Sequence, residues 1–158
     1  MKLYCMELDS YDKQLLNIIQ NNSKITNQEL ADSVGLSPSA CLRRMKTLEE
    51  TGIIHSYKAI LDCQKLGLNL TAIVAISMDK HTSERFAVFE SEISQISEVS
   101  ECLLITGQSA DYQLHLTVRD LEHYQQILLG KITKIPGVSG VHSSFVLKKI
   151  ITQRGIKL

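Results

Sequence analysis

At 158 residues the chain is long enough for one large domain or two small ones, and 44% apolar with 22% charged residues describes folded cores rather than disorder. Lys and Arg (17) balance Asp and Glu (17), so there is no chain-wide basic field and any nucleic-acid footprint must be local. No apolar run reaches the roughly 18 residues of a membrane span, and residues 1–8 lack a signal-peptide core, so the expectation is a cytoplasmic protein with no membrane partner.

Helices come first. Leu8, Tyr11, Leu15 and Ile18 recur at helical spacing, with Asp9 placed to cap and Asp12 in the first turn. Thr26-x-x-Glu29 reads as a capping box ahead of Leu30, Ala31 and Val34, and Gly35 stops that helix. Ser37 caps a third helix that Pro38 opens and Gly52 ends. Ile53-Ile54 and Tyr57 to Leu61 then read as short strands, and 62–70 as a linker. From 71 to 158 the order is strand (71–78), helix (82–95), strand (99–106), turn, strand (111–118), helix from Asp120, and strand (138–147). That βαββαβ order is the ferredoxin-like split unit. The fold class is therefore α+β: a winged helix-turn-helix domain over 1–61 and a ferredoxin-like domain over 71–158.

The third helix carries the first candidate site. At about 100° per residue, Cys41, Leu42, Met45 and Leu48 fall in one apolar arc. Ser39, Arg43, Lys46 and Thr47 fall opposite, flanked by Ala40 and Arg44. A small, positive, hydrogen-bonding face is what phosphates and base edges of duplex DNA require. Arg43 is the candidate for base readout, Ser37 and Ser39 sit by the free N–H groups of the helix start, and Arg44 and Lys46 are candidates for the phosphate backbone. Charge alone does not separate this face from an ordinary solvated one.

The second candidate site is the loop Thr106-Gly107-Gln108-Ser109-Ala110-Asp111. Exposed N–H groups in a glycine turn hold carboxylates, and Asp111 offers an acceptor to an ammonium, so the loop suits an amino acid. A plain hairpin turn, with Gly for geometry and Asp for its own backbone, explains the same residues. The strands at 71–78 and 102–105 are apolar on both sides, which calls for a second cover on the sheet, and a two-fold partner supplies it most economically. Docking of the N-terminal domain on that sheet is the alternative. The cysteines (Cys5, Cys41, Cys63, Cys102) and histidines (His55, His81, His115, His123, His142) are scattered without metal-site spacing, so no metal or cofactor is expected. The tail carries Lys148, Lys149, Arg154 and Lys157 without an acid, read as a solvated tail before a DNA contact.

Leu8-Asp9, Asp12-x-x-Leu15-Leu16, Glu29-Leu30-Ala31, Val34-Gly35-Leu36-Ser37-Pro38, Arg44, Leu48-Glu49 and Gly52-Ile53-Ile54 resemble the N-terminal domain of the Lrp/AsnC (leucine-responsive, feast/famine) regulators. Thr106-Gly107-x-x-x-Asp111-Tyr112 and Ile135-Pro136-Gly137-Val138 resemble the same family's effector domain, so the likeness runs over nearly the whole chain. The resemblance implies a non-enzymatic transcription regulator that binds double-stranded DNA. It implies a dimer assembling to an octamer, and an effector such as leucine, methionine or another apolar amino acid. It places Thr106, Gly107, Gln108, Ser109 and Asp111 at the effector, with Ser139 and Ser143 as a second wall. Two alternatives stand beside it. One is an enzyme resembling the siroheme decarboxylases, in which His115 and His142 would matter. The other is an amino-acid-binding assembly module that does not touch DNA.

Overall fold

The helices of the first unit start where short-range hydrogen bonds hold them. In the computed structural model, which describes residues 7–107, 109–152 and 155–158, Ser10–Ile19 (α1) opens on a reciprocal box. The Asp12 N–H donates to the Asp9 carboxylate (2.9 Å) and the Asp9 N–H to that of Asp12 (3.3 Å). Asn27–Val34 (α2) repeats the device with Thr26 and Glu29, and Gly35 closes it in the left-handed conformation (φ 71°). Ser37 accepts from the Ala40 N–H and Pro38 leads Pro38–Glu50 (α3). Each such cap stabilises its helix by about 1 kcal/mol. Leu15, Leu16, Ile19, Leu30, Ala31, Val34, Cys41 and Leu48 interlock as the core of this unit.

Two expectations fail here. Residues 53–61 form no strand within the chain. The apolar run is used otherwise: the Ile54 N–H caps Leu48 O (3.0 Å), and the Tyr57 hydroxyl donates to Glu49 (2.8 Å), which ties the segment to α3. Burial and that bond to Glu49 push the Tyr57 phenol up to about 12. Leu42, assigned to the apolar arc, is 60% exposed. It lies about 100° round the helix from Cys41 and shares the outer strip with Ser39, Arg43 and Lys46 at i−3, i+1 and i+4.

The second unit is Leu70–Met78 (β1), Ser83–Ser94 (α4), Val99–Leu104 (β2), Tyr112–Val118 (β3), Leu121–Gly130 (α5), a 3-10 turn at Ile132–Lys134, and Val138–Phe145 (β4). Its sheet runs β2-β3-β1-β4 with antiparallel pairing throughout, the ferredoxin-like arrangement. Ala72, Val74, Ile76 and Met78 of β1 and Tyr112, Leu114, Leu116 and Val118 of β3 point to one face. There they bury Phe89 and Ile93 of α4 and Tyr124 and Ile127 of α5. The other face carries Thr71, Ile73, Ala75, Gln113, His115 and Thr117, all half-buried. The apolar run of β2 is not enclosed within the chain: β2 is an edge strand, and Leu103 (40%) and Leu104 (58%) are exposed. At the Pro136 turn, Gly137 (φ 99°) lets Arg85 cross; a Cβ there would lie 2.3 Å from Arg85 Cδ.

The chain divides into Met1–Ile60 with Ile150–Leu158, and Leu61–Lys149. No described helix is long and apolar enough to cross a membrane.

Candidate nucleic-acid interface and effector loop

The face of α3 is built by rotating the buried stripe (Cys41, Met45, Leu48) inward. Ser37, Ser39, Arg43, Lys46 and Thr47 are exposed, with Ala40 and Arg44 half-buried at the margins. The Asn27 amide donates to Pro38 O (2.9 Å), so α2 braces the first turn of α3. The Ser37 and Ser39 hydroxyls lie 3.2 Å apart at that end, and Thr47 returns its hydroxyl to Arg43 O (3.0 Å). Among the described residues Arg43 forms no ion pair. Lys46 meets Glu50 at 3.6 Å on the surface, a pair of little energetic weight.

Arg44 does something else. Its Nη1 lies 2.8 Å from both Asp9 and Asp12, and its guanidinium sits 5.5 Å from the Tyr11 ring centre. The Asp12 hydrogen bond raises the guanidinium further above its ordinary value, while the Asp12 N–H, followed by Arg44, holds Asp9 below the usual carboxylate range. The side chain assigned to the DNA backbone is drawn back as a brace between α3 and the start of α1. Nothing local in the sequence announces a contact 32 residues apart.

In the second unit Ser109, Asp111 and Ser139 gather round the end of β1, while Thr106 and Gly107 are exposed in the loop that follows β2; Gln108 lies outside the described residues. The Ser77 hydroxyl donates to Ser109 O (3.1 Å), and the Ser139 hydroxyl donates to Ser77 O (3.0 Å). Gly107 is left-handed (φ 89°) and exposed. Asp111 is more tied than the sequence suggests. Its carboxylate accepts from the Met78 N–H (2.7 Å) and stands 2.7 Å from His81 Nε2, a partner the sequence did not reveal. Ser143 does not join the group: it pairs with Val74 on the helix-covered face, and its hydroxyl is bonded to that of Tyr124. A strand alternates sides, so Ser139 and Ser143 fall on one wall only if no irregularity intervenes, and the register shifts at Ser77/Met78 opposite Ser139.

His115 sits by Glu101 (3.1 Å) and Gln113 (3.0 Å) on the open face, and His142 lies in the next row, opposite Ala75. No group of three or more metal-ligating side chains converges among the described residues. Of the thiols, Cys41 is buried and burial pushes it up; Cys102 is pushed up by burial and then by Glu90.

A winged helix-turn-helix DNA-binding model matches residues 8–55, and the Lrp/AsnC ligand binding domain matches residues 71–156. The chain belongs to the Lrp/AsnC family. The transcriptional regulator AzlB of Bacillus subtilis is 38% identical over 140 residues, 89% of this chain and 88% of that protein. The leucine-responsive regulatory protein of Haemophilus influenzae is 36% identical over 143 residues, 90% and 86% of the two. A transcriptional regulator of Neisseria meningitidis, solved with L-methionine, superposes at a TM-score of 0.91 with 35% identity, covering 95% of this chain and 96% of that one. This member of the Lrp/AsnC family is a DNA-binding transcription regulator, and its α3 is the second helix of the helix-turn-helix, the one that such folds lay in the major groove.

Proposed function

We propose that this Lrp/AsnC regulator reads operator DNA through Ser39, Leu42, Arg43, Lys46 and Thr47, that Arg44 shapes the reading head rather than touching DNA, and that an apolar amino acid bound at the Thr106–Asp111 loop modulates it. The observation that carries the DNA reading is the exposed strip of α3, where Arg43 has no competing carboxylate among the described residues. Arg in the major groove pairs with guanine, exposed Leu42 suits a thymine methyl, and Lys46 with the Ser37–Ser39 end serves phosphates. Two such heads on a two-fold dimer meet half-sites about one helical turn apart.

The effector reading is supported by the loop's shape. With the Asp111 carboxylate engaged by Met78 and His81, the amino acid's carboxylate meets the loop N–H groups, and its ammonium finds carbonyl or hydroxyl oxygens at Thr106, Ser109 and Ser139. The methionine in the Neisseria structure fits this chemistry.

Selection of bound fragments from random DNA tests the first part. R43A should flatten the enriched sequence, whereas K46A should weaken all fragments alike and lower the salt slope by about 1. Loss of neither property would remove α3 from the interface. A thermal-shift screen of the twenty amino acids tests the second part, since a true effector at 100 times its Kd adds about 2.7 kcal/mol. No shift with any of them would end the effector assignment.

A further inference from the structure

Gly155–Leu158 is fastened to α1 by side chains that read its main chain. The Ile156 N–H donates to Gln20 Oε1 (2.7 Å), and Gln20 Nε2 donates back to Ile156 O (3.1 Å). One turn earlier on α1, the Leu158 N–H donates to Asn17 Oδ1 (3.3 Å), and Asn17 Nδ2 donates to Leu158 O (3.4 Å). A carboxamide offers one donor and one acceptor side by side, as a neighbouring β-strand would. Residues i and i+3 of a helix lie on one face about 5–6 Å apart, and residues i and i+2 of an extended chain repeat at about 6.6 Å, so the two amides match alternate residues of an extended segment. Gly155 fits closely: a Cβ there would lie 3.0 Å from Gln20 Cβ and 3.1 Å from Gln20 Oε1. Ile156 and Leu158 line a groove of about 720 Å³ together with Leu8, Leu16, Ile19 and Ile53.

We infer that α1 carries a peptide-binding surface, an Asn17/Gln20 amide clamp beside an apolar groove, and that its occupant is the chain's own segment 155–158. Main-chain pairing supplies attachment without sequence preference, and the close fit of Gly155 against Gln20 supplies the choice of segment, while the Ile156 and Leu158 side chains at the groove's edge stay exposed (74% and 46%). None of Asn17, Gln20, Ile156 or Leu158 belongs to the α3 strip, so the clamp can be opened with the reading face intact.

The test places a photo-crosslinking amino acid at position 158 of the full chain. The expected adduct joins 158 to residues 16–24 or 53–60 of the same polypeptide, and N17A/Q20A cuts its yield about tenfold. In the unlabelled full chain, solvent exchange of the Ile156 and Leu158 amides should be slowed about tenfold or more and return to the free rate in N17A/Q20A. Crosslinks to a second polypeptide would overturn the assignment to the chain's own tail. Absence of crosslinks together with unprotected amides, or protection that survives N17A/Q20A, would overturn the clamp.

Discussion

Arg43 and Arg44 are adjacent, yet about 100° of helix rotation separates a side chain in solvent from one folded across the start of α1. The consequence lies in what each removal leaves behind. Arg43→Ala deletes a solvated charge and costs the fold almost nothing. Arg44→Ala strands the Asp12 carboxylate, whose side chain is only 9% exposed, without its cation. A charge-assisted bond to a mostly buried carboxylate is worth about 1–3 kcal/mol when one partner is lost, and in a unit this small 1 kcal/mol moves Tm by about 4–8 °C. Arg44→Ala should therefore lower the melting of α1–α3, followed by amide exchange in α1, while fragments that still bind show the wild-type base preference. A preference that changed with stability intact would return Arg44 to the DNA. The sequence could not separate the two arginines, because amphipathic periodicity reports a side chain's direction and not carboxylates 32 and 35 residues away.

At the scale of elements, the legible features were those whose cause is local. Asp9, Thr26, Ser37 and Asp120 each cap the helix that follows, because capping needs only the next three residues. The failures share the opposite trait. A strand at Ile53-Ile54 or Tyr57–Leu61 needs a ladder partner, and Ile54 and Tyr57 instead bond to Leu48 and Glu49 of α3. Ser143 lies apart from Ser139 because the register shifts between them, and the Asn17 and Gln20 bonds to residues 158 and 156 span more than 130 residues. Cap chemistry also carries a pH signature. Asp9 and Glu29 titrate below their ordinary values of 3.8 and 4.5, the first chiefly through the Asp12 N–H and the second through the Thr26 N–H. With folded values depressed, their stabilisation is complete above the unfolded values and is lost as pH falls through the lowered ones. Urea unfolding followed by helical circular dichroism should show stability falling as pH drops below about 4.5. D9N/E29Q, which keeps oxygens for the N–H groups but no titrating carboxyl, should make that fall shallower. An identical slope in the variant would show that other groups drive the acid transition.

For the whole molecule the deciding surface is the uncovered face of the sheet. Thr71, Ile73 and Ala75 run down its centre, and Ile73 stands between His115 of β3 and Ser144 of β4. The helices already cover the opposite face, so a substitution here leaves the intramolecular core in place. If a second subunit packs on this face, Ile73→Glu would bury an unpaired carboxylate at the contact and separate the subunits, since such burial is among the costliest single changes. Sedimentation equilibrium should report a dimer or larger assembly for the wild type and a monomer for Ile73→Glu, with the helical signal unchanged. The DNA consequence follows from linkage. A dimer offers its second head at a high effective concentration once the first has bound, a gain of about 10²-fold or more that a monomer forgoes. Ile73→Glu should thus lose that factor on DNA with two half-sites and lose nothing on a single half-site. Equal mass and equal affinity for both proteins would mean that the second cover of the sheet is not a partner subunit, and that whatever pairs the two reading heads is built elsewhere on the chain.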